Sequence, residues 1–386
     1  MSPKTIHILG VTGSIGESTM DVVLHQPEMF DVCVVSAHNN VTLLADRAIS
    51  LQAKVAVIGD AALLPSLQKL LSGTPIEASS DLIGAIKAHS ADMTMSAITG
   101  MAGLEPLLAA IEVSASVAIA NKEPLVAAGA QVLQAAQDSG CQILPVDSEH
   151  NAIYQVFDGA QKQAIDHIVL TASGGAFRDW TIDQMATATK EQALKHPNWS
   201  MGQKITIDSA SMMNKALEII EAAVLFGLRA DQIQVLIHPQ SIVHGMVAYQ
   251  DGSVLCQMGA SDMRTPIANI LAGGARLKTP GEKLSLEAMS HMNFTLVDHQ
   301  KYPAVQLAYD ALAMGQYAQV ALNAANEVAV QAFLEDEIGF LDIVKVNQAV
   351  MAKAPPSHLS NVSEIIAYDK ARRAEAKAYI DKDLAW

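Results

Sequence analysis

Short runs that read as strands, most of them rich in Val and Ile, recur along the N-terminal part of the chain, at 6–9, 32–35, 55–58, 93–96, 117–120 and 142–146. Each is followed by a stretch with helical apolar spacing. Strands that alternate with helices in this way pair in parallel and are covered by helices on both faces. The runs show little polar alternation, so both strand faces are expected to be buried. The pattern predicts a doubly wound sheet over residues 1–147, with any ligand beyond the carboxyl ends of its strands.

From residue 148 the pattern changes to a helix, a strand at 165–171, a Gly-rich turn, a further helix, and strands at 234–237, 243–249 and 253–258. Asp251-Gly252 stands between the last two and marks a hairpin, so this second sheet is partly antiparallel and 148–276 reads as a central α+β domain. Residues 277–300 mix Pro, Gly, Ser, His and Asn with weak periodicity and are expected to be a linker. The segments 303–314, 321–335, 341–351 and 362–380 are Ala-rich with 3.6-residue spacing, which predicts a C-terminal helical bundle over 301–386. The fold class is therefore α/β, with a Rossmann-like N-terminal sheet, an α+β centre and a helical end.

Composition narrows the function. Of the 386 residues, 50% are hydrophobic and only 4% aromatic, which suits a large interior filled by helices and parallel strands. A formal net charge of −15, with no basic run, disfavours a nucleic-acid partner. No apolar stretch approaches the roughly 18 residues of a membrane span. The first ten residues run directly into a strand-and-glycine pattern without a leader, so nothing is expected to precede the fold. Cys33, Cys141 and Cys256 are odd in number and far apart, which predicts neither a disulfide framework nor a zinc knuckle and fits a reducing, cytoplasmic setting.

Several motifs carry chemistry. Gly10-Val11-Thr12-Gly13-Ser14-Ile15-Gly16 joins a strand to a helix, the context in which glycines let backbone approach a pyrophosphate at a helix N-terminus; it is otherwise a tight turn. After the second strand stands Ser36-Ala37-His38-Asn39-Asn40, without the carboxylate that binds the ribose hydroxyls of NAD, so the loop suits either NADPH or no cofactor contact at all. Asp147-Ser148-Glu149 puts two carboxylates side by side in what reads as extended chain, to be compensated by a divalent cation or a substrate proton, or to serve as a helix cap. In Asp208-Ser209-Ala210-Ser211-Met212-Met213-Asn214-Lys215-Ala216-Leu217-Glu218, Ser209 or Ser211 is expected to cap a helix on which Asn214 and Glu218 share a face. That stripe is either an anion cradle with a metal-reaching carboxylate or a solvated face. Ser173-Gly174-Gly175 leaves room for an anion, and 196–202, with His196, Trp199, Met201 and Gly202, looks like a lid. His238 and His244 read as core groups.

Together with Asn121-Lys122-Glu123 and Asn323-Ala324-Ala325-Asn326-Glu327, these motifs resemble, in order and over nearly the whole chain, the 1-deoxy-D-xylulose 5-phosphate reductoisomerase family. The resemblance implies a homodimer and a metal-assisted retro-aldol/aldol rearrangement. Reduction by NADPH to 2-C-methyl-D-erythritol 4-phosphate would follow, in the non-mevalonate route to isoprenoids. It implies Asp147, Glu149 and Glu218 as ligands of Mg²⁺ or Mn²⁺, and Lys122, Glu149 and His196 as catalytic groups. Substrate contacts would come from these residues with Ser148, Ser173, Trp199, Met201, Ser209, Asn214 and Lys215. Cofactor contacts would come from Gly10, Thr12, Gly13, Ser14, Ile15, Gly16, His38, Asn39, Asn40, Asn121, Glu123 and Gly202. The loop 38–40 departs from the family's pattern in lacking its usual Lys or Arg. The competing readings are a metal-independent NAD(P) dehydrogenase, which leaves the three carboxylates unexplained, and a nucleotide-sensing regulator, for which no partner-binding element stands out.

Overall fold

A computed structural model of the chain describes residues 2–384 apart from Ser200 and Pro356. The chain forms two compact units. One takes the chain up to Pro124, Val132–Asn151 and Asp262–Glu282; the other takes Leu125–Gln131, Ala152–Ser261 and the residues from Lys283 onward.

The first unit is built on a seven-stranded sheet of β1 (Lys4–Leu9), β2 (Phe30–Ala37), β3 (Val55–Ile58), β4 (Glu77–Ser79), β5 (Ala91–Ser96), β6 (Ser114–Ile119) and β7 (Gln142–Pro145). All its pairings are parallel, in the order β4-β3-β2-β1-β5-β6-β7. Ile8, Leu9, Val34, Val35, Val57, Ile58 and Val117 are wholly buried, as expected of strands covered on both faces, each worth roughly 1.5–3 kcal/mol of transfer free energy. The winding reverses between β1 and β5, which leaves a crevice beyond their carboxyl ends. Helices α1 (Ser14–His25) and α2 (Val41–Ser50) follow the first two strands; α3 (Glu123–Ser139) follows β6 and α4 (Ser148–Val156) follows β7. The edge strand β4 was not expected, because Glu77-Ala78-Ser79 is short and without an apolar run.

The second unit holds a five-stranded mixed sheet of β8 (Ile165–Ala172), β9 (Ile233–Ile237), β10 (Val243–Tyr249), β11 (Val254–Met258) and β12 (Thr295–Leu296), in the order β11-β10-β8-β9-β12. The Asp251-Gly252 hairpin joins β10 and β11 as expected, with Gly252 at φ +87°. Between β8 and β9 run α5 (Gln203–Ser211) and α6 (Met213–Phe226), and the chain ends in α7 (Pro303–Met314), α8 (Gln316–Leu334), α9 (Asp342–Met351) and α10 (Val362–Tyr379).

The units do not follow the expected succession of domains at 148–276 and 301–386. Ile168 and Leu170 of the sheet, Leu217 of α6, and Ala308, Phe333 and Ile343 of the last helices belong to one continuous core. The helix Arg264–Leu271 instead packs with the first unit against α1, burying Ile267, Ile270 and Leu271. Part of the expected linker is also structured: Thr295 and Leu296 pair with Ile237 and Leu236, a two-residue edge too short to leave a periodic trace.

One strand residue breaks the apolar rule. His7 of β1 is fully buried, neither ring nitrogen meets a hydrogen-bond partner, and burial, with a smaller contribution from His89, lowers its pKa from 6.5 to about 4. The unfolded chain therefore takes up this proton near pH 6.5 while the folded chain resists until about pH 4. Stability is complete above pH 6.5 and falls as the pH drops between these values, by roughly 3 kcal/mol in total. Replacing His7 by Met should flatten that acid limb; urea unfolding at pH 7 and pH 4.5 measures it, and an equally steep limb in His7→Met would contradict the assignment.

Candidate functional site

In the first unit, the turn after β1 is built for close approach. Gly10 has φ +88°, and a Cβ there would lie 2.6 Å from the Ala97 carbonyl oxygen that follows β5. A Cβ on Gly16 would come within 2.4 Å of the Gly10 carbonyl oxygen. These two glycines are thus demanded by packing. Gly13, the residue before α1, meets nothing closer than 3.5 Å, so its lack of a side chain serves open space beside the helix end. The loop is fastened from β2: Gly10 N donates to the Ser36 carbonyl and hydroxyl oxygens, both at 3.1 Å, and Val11 N to the Ser36 carbonyl at 2.8 Å. The amides of the first turn of α1, including those of Ser14, Ile15 and Gly16, lack helical acceptors and face outward along the axis. Thr12 lies in the loop that leads to them.

The loop after β2 is exposed at His38, Asn39 and Asn40 and contains no lysine or arginine. Asn40 has a structural duty as the N-cap of α2, its side chain accepting from Leu43 N at 3.2 Å. Asn121, after β6, is buried and donates its amide to the carbonyls of Ile98 and Gly100, which fixes the loop after β5.

Beyond β6 and β7 lies a compact charged group. Lys122 precedes α3, is almost wholly buried, and binds Asp147 Oδ2 through Nζ at 2.6 Å. Glu123 opens α3 and is buried as well. The strand ends at Pro145, so Asp147 and Glu149 do not alternate along extended chain as expected. Asp147 O instead accepts from Asn151 N, and Ser148 and Glu149 form the first turn of α4, where the helix dipole favours a carboxylate. Ser148 Oγ donates to Glu149 Oε2. Two neighbours in the same motif carry roles the sequence pattern did not assign. His150 is buried with Nδ1 3.8 Å from Asp147 Oδ2, and buried Asn151 donates to the Pro145 carbonyl at 3.1 Å, tying α4 to the strand end.

In the second unit, β8 ends in Ser173-Gly174-Gly175. A Cβ on Gly175 would lie 2.5 Å from the Ser209 carbonyl oxygen, so the turn rests directly on the last turn of α5. His196 Nδ1 accepts from the amides of Asn198 (3.1 Å) and Trp199 (2.9 Å), which assigns the ring proton to Nε2, 3.0 Å from Ser173 Oγ. Ser173 Oγ accepts that proton and the Gly175 amide at 3.1 Å, leaving its own hydroxyl hydrogen to donate outward. Trp199 and Met201 are half-buried, and the Trp199 ring stands 6.0 Å from that of His244. His238 and His244 are buried, and His238 Nδ1 lies 2.9 Å from the Asn293 carbonyl oxygen. Gly202 precedes α5 as its N-cap and belongs to this unit, whereas the other expected cofactor contacts belong to the first.

Neither Ser209 nor Ser211 starts the next helix. Both lie in the last turn of α5, and Met212, at φ +63°, forms the left-handed break before α6. Behind the break, wholly buried Glu218 is held on both oxygens, by Asn214 Nδ2 one turn back and by Lys215 Nζ. Of the two readings of this stripe, the solvated face does not hold, since Glu218 and Lys215 form a buried ion pair. Glu221, a turn further on and also fully buried, is the residue that helical spacing from Glu218 could have singled out.

The acidic side chains that follow β7 and lie on α6 offer carboxylate oxygens, the donor type that hard divalent cations take.

Comparison with known proteins is consistent along the chain. Family models described as 1-deoxy-D-xylulose 5-phosphate reductoisomerase match residues 6–129, its C-terminal domain 143–226, and the DXP reductoisomerase C-terminal domain 258–375. The reductoisomerase of Rhodospirillum centenum is 48% identical over 98% of this chain and 94% of its own length. That of Zymomonas mobilis is 44% identical over 98% of both. A structure of the Zymomonas mobilis enzyme in complex with NADPH superposes with a TM-score of 0.93 at 43% identity, covering 99% of this chain and 100% of that one. A DOX-P reductoisomerase in complex with NADPH, fosmidomycin and magnesium gives 0.93 at 38% identity, over 98% of each chain. With family models along the chain, relatives 44–48% identical over nearly its whole length and the same fold, the chain belongs to the 1-deoxy-D-xylulose 5-phosphate reductoisomerase family.

Proposed function

We infer that the chain rearranges 1-deoxy-D-xylulose 5-phosphate and reduces the product with NADPH to 2-C-methyl-D-erythritol 4-phosphate, in the presence of Mg²⁺ or Mn²⁺. The observation that carries this is the buried Lys122–Asp147 pair beside Glu149, at the carboxyl ends of the strands that also present the Gly10 turn. In a parallel sheet of this kind the ligand crevice lies beyond the carboxyl ends of the strands, where this pair sits.

Asp147, Glu149 and Glu218 would hold the divalent ion. Three carboxylates near a phosphate repel strongly unless a dication lies among them. Bound there, the ion would supply Lewis-acid polarisation of the substrate's oxygens. Lys122 places an ammonium against charge developing on a reacting oxygen, and Glu149, hydrogen-bonded to Ser148, receives or returns a proton. Ser173, Ser209, Asn214 and Lys215 take the substrate phosphate, Lys215 by exchanging Glu218 for a phosphate oxygen. His196 aims its Nε2 proton at Ser173 and so orients the cradle, while Trp199 and Met201 close over it and exclude water. The 10–16 turn, Asn39 and Asn40 line the cofactor, with His38 nearest its 2′-phosphate.

A homodimer in the cytoplasm completes the reading. Among the described residues no helix is long and apolar enough to cross a membrane. The edge strand β11 exposes Val254, Leu255 and Cys256, an apolar edge suited to a second copy.

Three outcomes test this. Glu218→Gln keeps the shape but removes a charge, and should lower metal-dependent turnover by roughly 10- to 100-fold with NADPH affinity unchanged. Activity titrated with Mg²⁺ measures it, and an unaltered metal dependence, or full activity of the parent protein after chelation, favours the metal-free dehydrogenase. Lys215→Ala removes a charge-assisted contact of about 1.5–3 kcal/mol and should raise the sugar-phosphate KM about 10- to 150-fold; loss of NADPH affinity instead would misplace the cradle. His38→Arg should widen the preference for NADPH over NADH by about 10-fold or more, read from kcat/KM with each cofactor. Equal preference in both proteins would remove His38 from the site.

A further inference from the structure

One buried polar chain of the second unit is used by none of the steps above. Asp208, in the last turns of α5, is only 1% exposed. Its Oδ2 pairs with Lys204 Nζ at 2.9 Å, one turn back on the same helix, and its Oδ1 accepts from Asn326 Nδ2 of α8 at 2.8 Å. Asn326 Oδ1 in turn accepts from Asn347 Nδ2 of α9 at 3.2 Å. Both asparagines are fully buried.

The chemistry fixes how Asn326 lies. A carboxylate only accepts, so the amide must offer its NH₂ to Asp208, and its oxygen is left for Asn347. The amide is held at both ends and cannot flip without losing a buried bond. Stability alone does not account for the arrangement. A buried carboxylate is costly, the C-terminal end of a helix is an unfavourable place for it, and apolar replacement of such groups is often neutral or stabilising. What the position controls is local. Asp208 adjoins Ser209, whose carbonyl supports the Gly175 turn and so Ser173; four residues on, Met212 makes the left-handed break that aims Asn214 and Lys215. Gly202, where the lid segment ends, is also the residue that precedes α5 as its N-cap.

We propose that Asn326 is a positioning residue for the phosphate cradle: acting through Asp208, it anchors the end of α5 to α8 and α9 and so sets Ser209 and the Ser173–Gly175 turn at the spacing an anion requires. The proposal rests on the cradle assignment made above. A misplaced cradle weakens anion binding without touching the reacting end of the substrate, so the signature is a split between KM and kcat.

The experiment compares the full-length protein with Asn326→Leu, with the exchange Asp208→Asn/Asn326→Asp, and with Lys215→Ala. Steady-state kinetics on the sugar phosphate, inhibition by inorganic phosphate and NADPH binding are recorded for each. Asn326→Leu should raise KM and the phosphate inhibition constant in parallel, by about 10-fold, with kcat within about twofold and NADPH affinity unchanged. The exchange restores a bond between an amide and a carboxylate with the roles reversed and should recover most of the lost KM. If Asn326→Leu lowers the melting temperature but leaves KM and phosphate inhibition alone, or lowers kcat and NADPH affinity together, Asn326 is merely structural and the proposal falls. Should Asn326→Leu fail to fold, the exchange decides: a folded protein with near-parental KM supports the proposal, and one with KM still raised overturns it. Lys215→Ala separates the two levels. No change in its KM would sink the cradle assignment itself, whereas a raised KM there with normal Asn326 variants would sink only the positioning role.

Discussion

A carboxylate out of water stays charged only if a cation or several hydrogen bonds replace the solvent it has lost, and the candidate site depends on that constraint. Three of the acidic side chains around it are matched with a lysine from their own unit: Asp147 with Lys122, Asp208 with Lys204, and Glu218 with Lys215. Two of these lysines lie three or four residues from their partner on one helix, so the pairing forms with the helix itself. Lys122 and Asp147 come instead from the ends of neighbouring strands β6 and β7, and their pairing needs the sheet. In a chain with net charge −15, such local compensation is what permits an anionic substrate and cofactor to approach at all.

The same arrangement supplies chemical readiness. In such a pair either member can change partner when ligand binds: the carboxylate can trade the ammonium for a divalent ion, and the ammonium can trade the carboxylate for a phosphate oxygen. Lys215 beside Glu218 and Lys122 beside Asp147 are the pairs to which the proposed function assigns that exchange. Rigid backbone surrounds them. The Met212 break, the Gly175 turn lying on the Ser209 carbonyl, and the Asn151 bond to the end of β7 hold the donors without flexible spacers.

Much of this was legible in the sequence. Strands buried on both faces appear as short apolar runs, so six of the seven strands of the first sheet and all four terminal helices could be located, with errors mostly at their ends. The Asp251-Gly252 hairpin was equally plain, because its turn requires a positive φ. Strands β4 and β12 were not visible, since three or two residues at an edge carry no periodicity. The cap expected at Ser209 or Ser211 failed for a related reason: local propensity favours serine at a helix start, but here tertiary packing carries the first helix past both serines and breaks it at a methionine.

The sequence by itself determined the fold class, the motifs and their order, because hydrophobic period, glycine requirement and helical spacing are local properties. Only the tertiary structure decided who partners whom. It showed that Lys122 belongs to Asp147, that Glu218 is buried in a pair with Lys215, that the helix Arg264–Leu271 returns to the first unit, and that the last helices share the core of the central sheet. Asp208, Asn326 and Asn347 come from three separate helices, so their bonding to one another leaves no mark in any window of sequence. The physical reason is that a buried polar group takes its partner from whatever the folded chain brings within about 3 Å, and that distance is set by packing rather than by position along the chain.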